Sequence, residues 1–159
     1  MSDATKSLSS IVASLAGTIG HEMFPRGDLA ELRRLRPTSP PPAYWRLLFD
    51  RVPEDWRQGE RQERAWAVIM AGMAVMAPTI HSPHTSLGAA MARIGSSTAE
   101  NRLWKLLRLR GEPLEDHLLM LTRFLATKEA SCNWIDLARL LLSADEGKRD
   151  KVCRNLARD

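Results

Sequence analysis

Apolar residues recur three and four positions apart along most of the chain, and Pro and Gly interrupt this pattern at intervals. No stretch alternates apolar and polar residues with period two, as a half-buried strand would. Recurrence at three and four positions is typical of amphipathic helices, so the sequence predicts an all-α fold. We expect two small helical bundles packed together, an N-terminal lobe of residues 1–92 and a C-terminal lobe of residues 93–159.

The longest helical pattern runs from about Glu60 to Ala77, polar at its start and apolar on nearly every side later. This predicts a central core helix. Its methionines recur at helical spacing and are interpreted as core filler rather than as a binding groove (Met70, Met73 and Met76). The most apolar window, residues 65–81, is too short to span a bilayer and contains a glycine and a proline, which favours a buried helix.

Several residues predict where helices begin and end. Asp28 is expected to cap a short helix. Ser97 and Glu100 are three residues apart, as in a capping box at the start of the next basic helix. Gly111 is expected to end that helix, and Pro113 to be the first residue of the following one.

Three tryptophans lie among apolar neighbours on predicted helices, and we expect them to pack in the core (Trp66, Trp104 and Trp134). Trp45 and Trp56 lie near loop boundaries and are expected to be half exposed.

The sequence carries no motif typical of an enzyme. His81 and His84 are close together, but the surrounding prolyl loop offers no carboxylate or cysteine at metal-ligand spacing. Cys132 and Cys153 form no metal-type or redox-type pair, and no Gly-rich phosphate loop or nucleophile motif is present. We therefore expect a protein without catalytic activity, without a metal and without a cofactor.

Composition and charge narrow the class of protein. Apolar residues make up 44% of the chain and charged residues 26%, a balance typical of soluble globular proteins. The sparse cysteines and an N-terminus without a basic, apolar leader favour the cytoplasm and no membrane association. The net charge is +4, from 23 Lys and Arg against 19 Asp and Glu. Most of the basic residues are arginine, whose planar guanidinium binds phosphate oxygens well.

The positive excess is local. Between Arg93 and Arg110 there are five basic residues and one acid, Glu100, so this segment alone carries a charge of +4. On a helical wheel its leucines fall on one arc and its cations on the other (Arg102, Lys105 and Arg108). A surface that binds a polyanion is therefore one interpretation, and a solvated helix face is the other. Elsewhere, Arg61 and Arg64 alternate with glutamates and are interpreted as ordinary pairs within one helix.

The order of several segments resembles the CasB family, the small subunit of the type I-E CRISPR Cascade surveillance complex. "GDLAELRRLRP", "PPAYWRLLF", "SLGAAMARIG", "AENRLWKLLRLRGEPLEDHLLMLTRFL" and "NWIDLARLLL" follow one another before a charged C-terminal segment. The resemblance covers roughly residues 27–156. The chain departs from the family pattern at Thr122, where a second adjacent arginine is usual, and at Asn133, where an aspartate is common.

The resemblance implies a non-catalytic subunit that stabilises the guide RNA, the guide–target heteroduplex and the displaced DNA strand through basic surface residues. Its expected protein partners are the other Cascade subunits, including the guide-RNA backbone and large subunits, and a second copy of itself arranged head to tail. Carried over to this chain, the candidate phosphate contacts are Arg33, Arg34, Arg46, Arg102, Lys105, Arg108, Arg110, Arg123 and Arg139.

Two other functions remain open at this stage. One is a helical transcriptional regulator that binds duplex DNA alone, with the polar start of residues 97–110 as its reading helix. The other is a structural adaptor whose basic face binds an acidic protein.

Overall fold

The computed structural model describes residues 7–143 and 146–157, in which nine α-helices make up the fold. They are α1 (Leu8–Ile19), α2 (Arg26–Arg33), α3 (Pro42–Arg51), α4 (Gly59–Met76), α5 (Leu87–Ile94), α6 (Ser97–Arg108), α7 (Gly111–Thr127), α8 (Trp134–Leu142) and α9 (Glu146–Ala157). A short 3₁₀ turn, Glu54–Trp56, separates α3 from α4. Two isolated bridges are the only β-type pairing in these described ranges, so the predicted all-α fold is confirmed.

Helix α4 lies at the centre of the core and packs against α1, α2, α3, α7 and α8. Every residue from Ala65 to Ala74 is buried, as the apolar pattern on all sides predicts. The interpretation of its methionines as core filler is confirmed, since all three are buried (Met70, Met73 and Met76). In the part of the chain that the structure describes, neither α4 nor any other helix is long and apolar enough to span a membrane.

Gly72 allows α7 and α8 to approach α4 closely. A Cβ atom at this position would lie 2.6 Å from Cη2 of Trp134 and 3.1 Å from Cγ2 of Thr122. Trp134 is fully buried, and the Thr122 hydroxyl donates a hydrogen bond to the Leu119 carbonyl, 2.7 Å away. Because Thr122 faces α4 rather than solvent, the departure from the family pattern at this position affects interior packing.

The helix ends agree only in part with the sequence prediction. Gly95 ends α5 with a left-handed φ of 72°. Ser96, rather than Ser97, caps α6, and its hydroxyl accepts a hydrogen bond from the Ala99 N–H at 3.1 Å. The prediction that Asp28 caps a helix is wrong, because α2 begins two residues earlier.

Gly111 begins α7 instead of ending α6, so its predicted role is also wrong. Helix α6 already ends at Arg108, and the next residue, Leu109, is extended. Gly111 has a φ of 59°, and this left-handed conformation turns the chain sharply into α7. Pro113 therefore lies in the first turn of α7 but is not its first residue.

The histidine loop between α4 and α5 is tied to the start of α8. The Trp134 N–H donates to Nδ1 of His81 at 3.1 Å, and the Ser82 N–H donates to the Cys132 carbonyl at 3.0 Å. Burial lowers the pKa of His81, although the backbone of Cys132 partly opposes this, and burial raises the pKa of the Cys132 thiol to about 12. His81 thus acts as a neutral hydrogen-bond acceptor that holds two segments together.

Asn133 caps α8. Its side-chain oxygen accepts a hydrogen bond from the Ile135 N–H at 2.9 Å, and its own N–H donates to the Thr85 carbonyl at 2.8 Å. An aspartate would accept the same capping hydrogen bond, so this departure from the family pattern preserves the helix start.

One cluster of buried apolar side chains includes residues from both predicted lobes. Helix α4 packs against α7 and α8, and α1 packs against α8, so contacts cross the proposed boundary. The division between residues 92 and 93 stays a prediction.

Candidate nucleic-acid interface

Helix α6 buries one side and exposes the other. Ala99, Leu103 and Leu106 are buried, whereas Lys105 and Arg108 are exposed. The apolar arc predicted from the leucines is therefore confirmed. Helix α7 follows after two residues and packs against α6, so the outer sides of these two helices lie next to each other.

Arg102 is less accessible than its position on the helical wheel suggests. It is half-buried, and its guanidinium carbon lies 4.6 Å from the centre of the Phe124 ring on α7. Its backbone carbonyl accepts a hydrogen bond from Nε2 of His117, 2.9 Å away. Lys128 lies over the same Phe124 ring at 5.9 Å. Arg102 therefore helps to hold α6 against α7 and presents only part of its charge to solvent.

The end of α6 is held by arginines as well. The Nη2 atom of Arg149 on α9 donates hydrogen bonds to the carbonyls of Leu109 at 2.6 Å and Leu107 at 3.3 Å. A cation at this position also complements the negative end of the α6 dipole. Arg110 is exposed and donates to the carbonyls of Leu109 and Arg108 at 3.2 and 3.3 Å. These hydrogen bonds hold the segment between α6 and α7, which carries Arg110 and directly follows Arg108.

The candidate cations differ in whether a protein group already engages them. Four of them are exposed and have no side-chain hydrogen bond, ion pair or ring contact among the described residues (Arg34, Lys105, Arg108 and Arg123). Three of these four lie on α6 and α7. We call Lys105, Arg108 and Arg123 the α6–α7 cations.

The candidates on α2 and α3 form a separate group. Arg33 donates from Nε to the Ala74 carbonyl at 2.8 Å, which ties α2 to α4. Arg46 pairs with Asp28 at 2.9 Å, although 61% of the Arg46 side chain is exposed. Arg34 ends α2 and is exposed. Since α2 and α3 pack on α4 and on each other, these residues lie on different elements from the α6–α7 cations.

Arg139 is on α8 and lies 3.7 Å from Asp136, so its charge is partly compensated. The nine predicted residues thus lie on three groups of elements, which are α2 with α3, α6 with α7, and α8.

The interpretation of Arg61 and Arg64 as partners of glutamates within their own helix is wrong. Arg61 donates to the carbonyls of Leu142 and Ser143 at 2.9 and 2.6 Å, at the end of α8. Arg64 pairs with Glu115 on α7, with N–O distances of 2.8 and 2.9 Å, and this carboxylate raises the pKa of Arg64. With Arg149 they line a cavity of about 470 Å³ between α4, α7, α8 and α9. We call Arg61, Arg64 and Arg149 the anchoring arginines.

Trp104 differs from its predicted position in the core. Trp66 and Trp134 are fully buried, and Trp45 and Trp56 are half-buried, as predicted, but 48% of Trp104 is exposed. The expectation of a packed Trp104 is therefore wrong. The indole borders a cavity of about 630 Å³ between α5 and α6.

A helical protein that presents uncompensated cations on a neighbouring pair of helices has a surface suited to phosphates. Residues 28–159 match the family model described as CRISPR-associated protein Cse2. The chain belongs to this family, and the resemblance found in the sequence is confirmed.

A solved structure has the same fold. A chain in the crystal structure of E. coli Cascade bound to a PAM-containing dsDNA target matches with a TM-score of 0.67 and 22% sequence identity, over 91% of this chain and 92% of that chain. No curated protein sequence matches the chain significantly.

Proposed function

We propose that the chain is a non-catalytic subunit of a type I-E Cascade complex. In this complex it stabilises the guide RNA, the target-strand heteroduplex and the displaced DNA strand through contacts with their phosphates. Membership in the Cse2 family and the fold shared with a chain of E. coli Cascade support the assembly. The observation that carries the nucleic-acid part is the set of exposed, uncompensated α6–α7 cations.

The α6–α7 cations are the main contacts in this proposal because no group of the described residues bonds to their side chains. A guanidinium already held by a carboxylate or by carbonyls must break those bonds before it binds a phosphate. Arg34 is a further candidate on α2, while Arg33, Arg46, Arg102, Arg110 and Arg139 contribute less since each is engaged within the chain.

The proposed contacts are to the backbone and do not read sequence. In an RNA-guided complex, base pairing between guide and target supplies the specificity, so a small subunit needs only phosphate contacts and an assembly surface. The proposed protein partners are the other Cascade subunits and a second copy of the chain.

The test combines Lys105→Ala, Arg108→Ala and Arg123→Ala in the complex assembled with the other subunits. We expect DNA affinity at fixed ionic strength to fall on the order of 100-fold, because three phosphate contacts are lost. A matched control combines Arg26→Ala, Arg36→Ala and Arg154→Ala, which removes the same charge from exposed positions on other elements. An equal loss in both variants, or no loss with assembly intact, would refute the proposed site.

The two rival functions give different results in the same preparation. Sequence-specific binding of duplex DNA by the isolated chain in a gel shift would favour the transcriptional regulator. Loss of assembly in the triple variant, with unchanged nucleic-acid affinity of any complex that forms, would favour the adaptor.

A further inference from the structure

Trp104 is a large aromatic side chain that the fold leaves half exposed and holds in place. Its indole N–H donates a hydrogen bond to the Glu100 carboxylate one turn earlier, at 3.3 Å. Phe49 is also exposed, but Trp45 stacks on it at 5.9 Å and Arg57 lies over it at 4.9 Å. Within the described residues, no ring or cation lies against Trp104 in this way.

The indole forms one side of a groove between α5 and α6. Most of the residues that line it are small or apolar, among them Gly88, Met91, Ala92, Gly95 and Leu103. Its volume of about 630 Å³ is in the range of sites that bind small molecules, about 300–1,000 Å³. Glu100 supplies the one acidic group of this lining, and its carboxylate accepts the hydrogen bond from the indole.

One of the α6–α7 cations lies beside the indole. Arg108 follows Trp104 by four residues, so the two side chains are neighbours on the same side of α6. Lys105 is exposed and precedes Arg108 by three residues, so these two cations are neighbours on the surface of α6. A polyanion bound along Lys105 and Arg108 would therefore pass beside the exposed ring.

An exposed aromatic ring beside a row of cations is an arrangement by which proteins bind single-stranded nucleic acids without reading sequence. Each base has a flat face that stacks on the ring, while the cations contact the backbone. Bases in a duplex are already stacked on one another and are not available to the indole. The cations beside the ring favour this ligand over an apolar side chain of a protein, because Lys105 and Arg108 bind phosphates and have no favourable interaction with an apolar group.

We propose that Trp104 and the α5–α6 groove form a stacking site for one unpaired base of a single-stranded nucleic acid whose phosphates lie against Lys105 and Arg108. This site rests on the proposed function and extends it from the backbone to the base. It adds affinity for a displaced or unpaired strand without selecting its sequence.

The experiment distinguishes stacking of a base on Trp104 from contacts between the cations and the phosphate backbone. The full-length protein is titrated at low ionic strength with a fluorescently labelled thymidine strand, and with an abasic strand of the same length that carries the same phosphates. We expect Trp104→Ala to weaken binding of the thymidine strand about tenfold, the loss of one base stack, and to leave the abasic strand unchanged. Trp104→Phe keeps an aromatic face and should retain most of the affinity.

A matched variant, Arg108→Ala, should weaken both strands to the same extent because it removes a phosphate contact. If Trp104→Ala and wild type bind both strands alike while Arg108→Ala weakens both, the stacking site is refuted and the phosphate contacts stand. If the isolated wild-type protein binds neither strand, the stacking site is refuted, whereas the phosphate contacts are decided by the affinity of the assembled complex. Should Trp104→Ala fold poorly, quenching of tryptophan fluorescence by the thymidine strand in wild type but not in Trp104→Phe would still support stacking, and equal quenching would refute it.

Discussion

The anchoring arginines and the α6–α7 cations carry the same kind of charge in different surroundings. Arg61, Arg64 and Arg149 reach across between helices, and each donates to carbonyls or to a carboxylate within 3 Å. Arg108 and Arg123 are exposed, and the described residues provide no such partner. Both groups contribute to the positive charge of the chain. Of the two, only the α6–α7 cations are available to bind an external anion.

The difference shows that local sequence charge is a poor guide to the use of an arginine. Arg61 and Arg64 have glutamates beside them in sequence, yet their partners lie on α8 and α7. Arg149 has an acid next to it and is only 4% exposed. What decides the role is whether the fold brings an acceptor within reach.

The largest expected effect on stability comes from Arg149→Ala. The substitution removes a buried side chain and leaves the carbonyls of Leu107 and Leu109 without these donors, at a cost of about 3 kcal/mol in free energy of unfolding. The control Arg108→Ala removes an exposed cation that lies between Leu107 and Leu109 in sequence, and it should leave the free energy of unfolding unchanged. Urea denaturation of the two variants measures both, and equal stabilities would contradict the distinction between the two groups.

Breaking the pair between Arg64 and Glu115 should have the next largest effect. The Glu115 side chain is only 13% exposed, so Arg64→Met leaves a nearly buried carboxylate unpaired and costs about 2 kcal/mol. The double variant Arg64→Met with Glu115→Leu should recover most of this loss, because the unpaired charge is gone. Denaturation of the single and double variants forms a cycle, and strictly additive losses would rule out the coupling.

His81 also forms a hydrogen bond within the chain, but its side chain is neutral. Burial lowers its pKa in the folded state below the ordinary 6.5, so the unfolded chain takes up the proton first as the pH falls. The stability contributed by neutral His81 is complete above about pH 6.5 and is lost as the pH falls from there through the lowered pKa. His81→Asn keeps an acceptor for the Trp134 N–H and does not titrate, so we expect it to lose less stability on acidification. Parallel pH profiles of the two proteins would contradict this role.

The helices were largely predictable from the sequence because their apolar residues repeat with the helical period. The burial of α4 on all sides and of Leu103 and Leu106 on α6 follows from this pattern. The first and last residues of the helices were less predictable, because they depend on which hydroxyl forms the capping hydrogen bond and on where the backbone changes direction. The spacing to Glu100 favours Ser97 as the cap, and only the observed geometry selects Ser96.

The candidate site was predictable as a region but not residue by residue. The local charge between Arg93 and Arg110 points to α6, where Lys105 and Arg108 are exposed. The ring that half-covers Arg102 is Phe124 on the next helix, and no periodicity reveals such a contact. Trp104 lies at the edge of the apolar arc, where its exposure depends on how much of it α5 covers.

If the α6–α7 cations contact phosphates, removing them must reduce the dependence of DNA affinity on salt. Binding of DNA by the assembled complex is measured over a range of salt concentrations for wild type, for the triple alanine variant at Lys105, Arg108 and Arg123, and for the control variant at Arg26, Arg36 and Arg154. Each lost phosphate contact lowers the slope of log affinity against log salt by about 0.7 to 0.9. We expect the slope of the triple alanine variant to be smaller in magnitude than that of wild type by roughly 2 to 3. The control variant should keep the wild-type slope. An unchanged slope in the first variant, with the complex intact, would contradict the account.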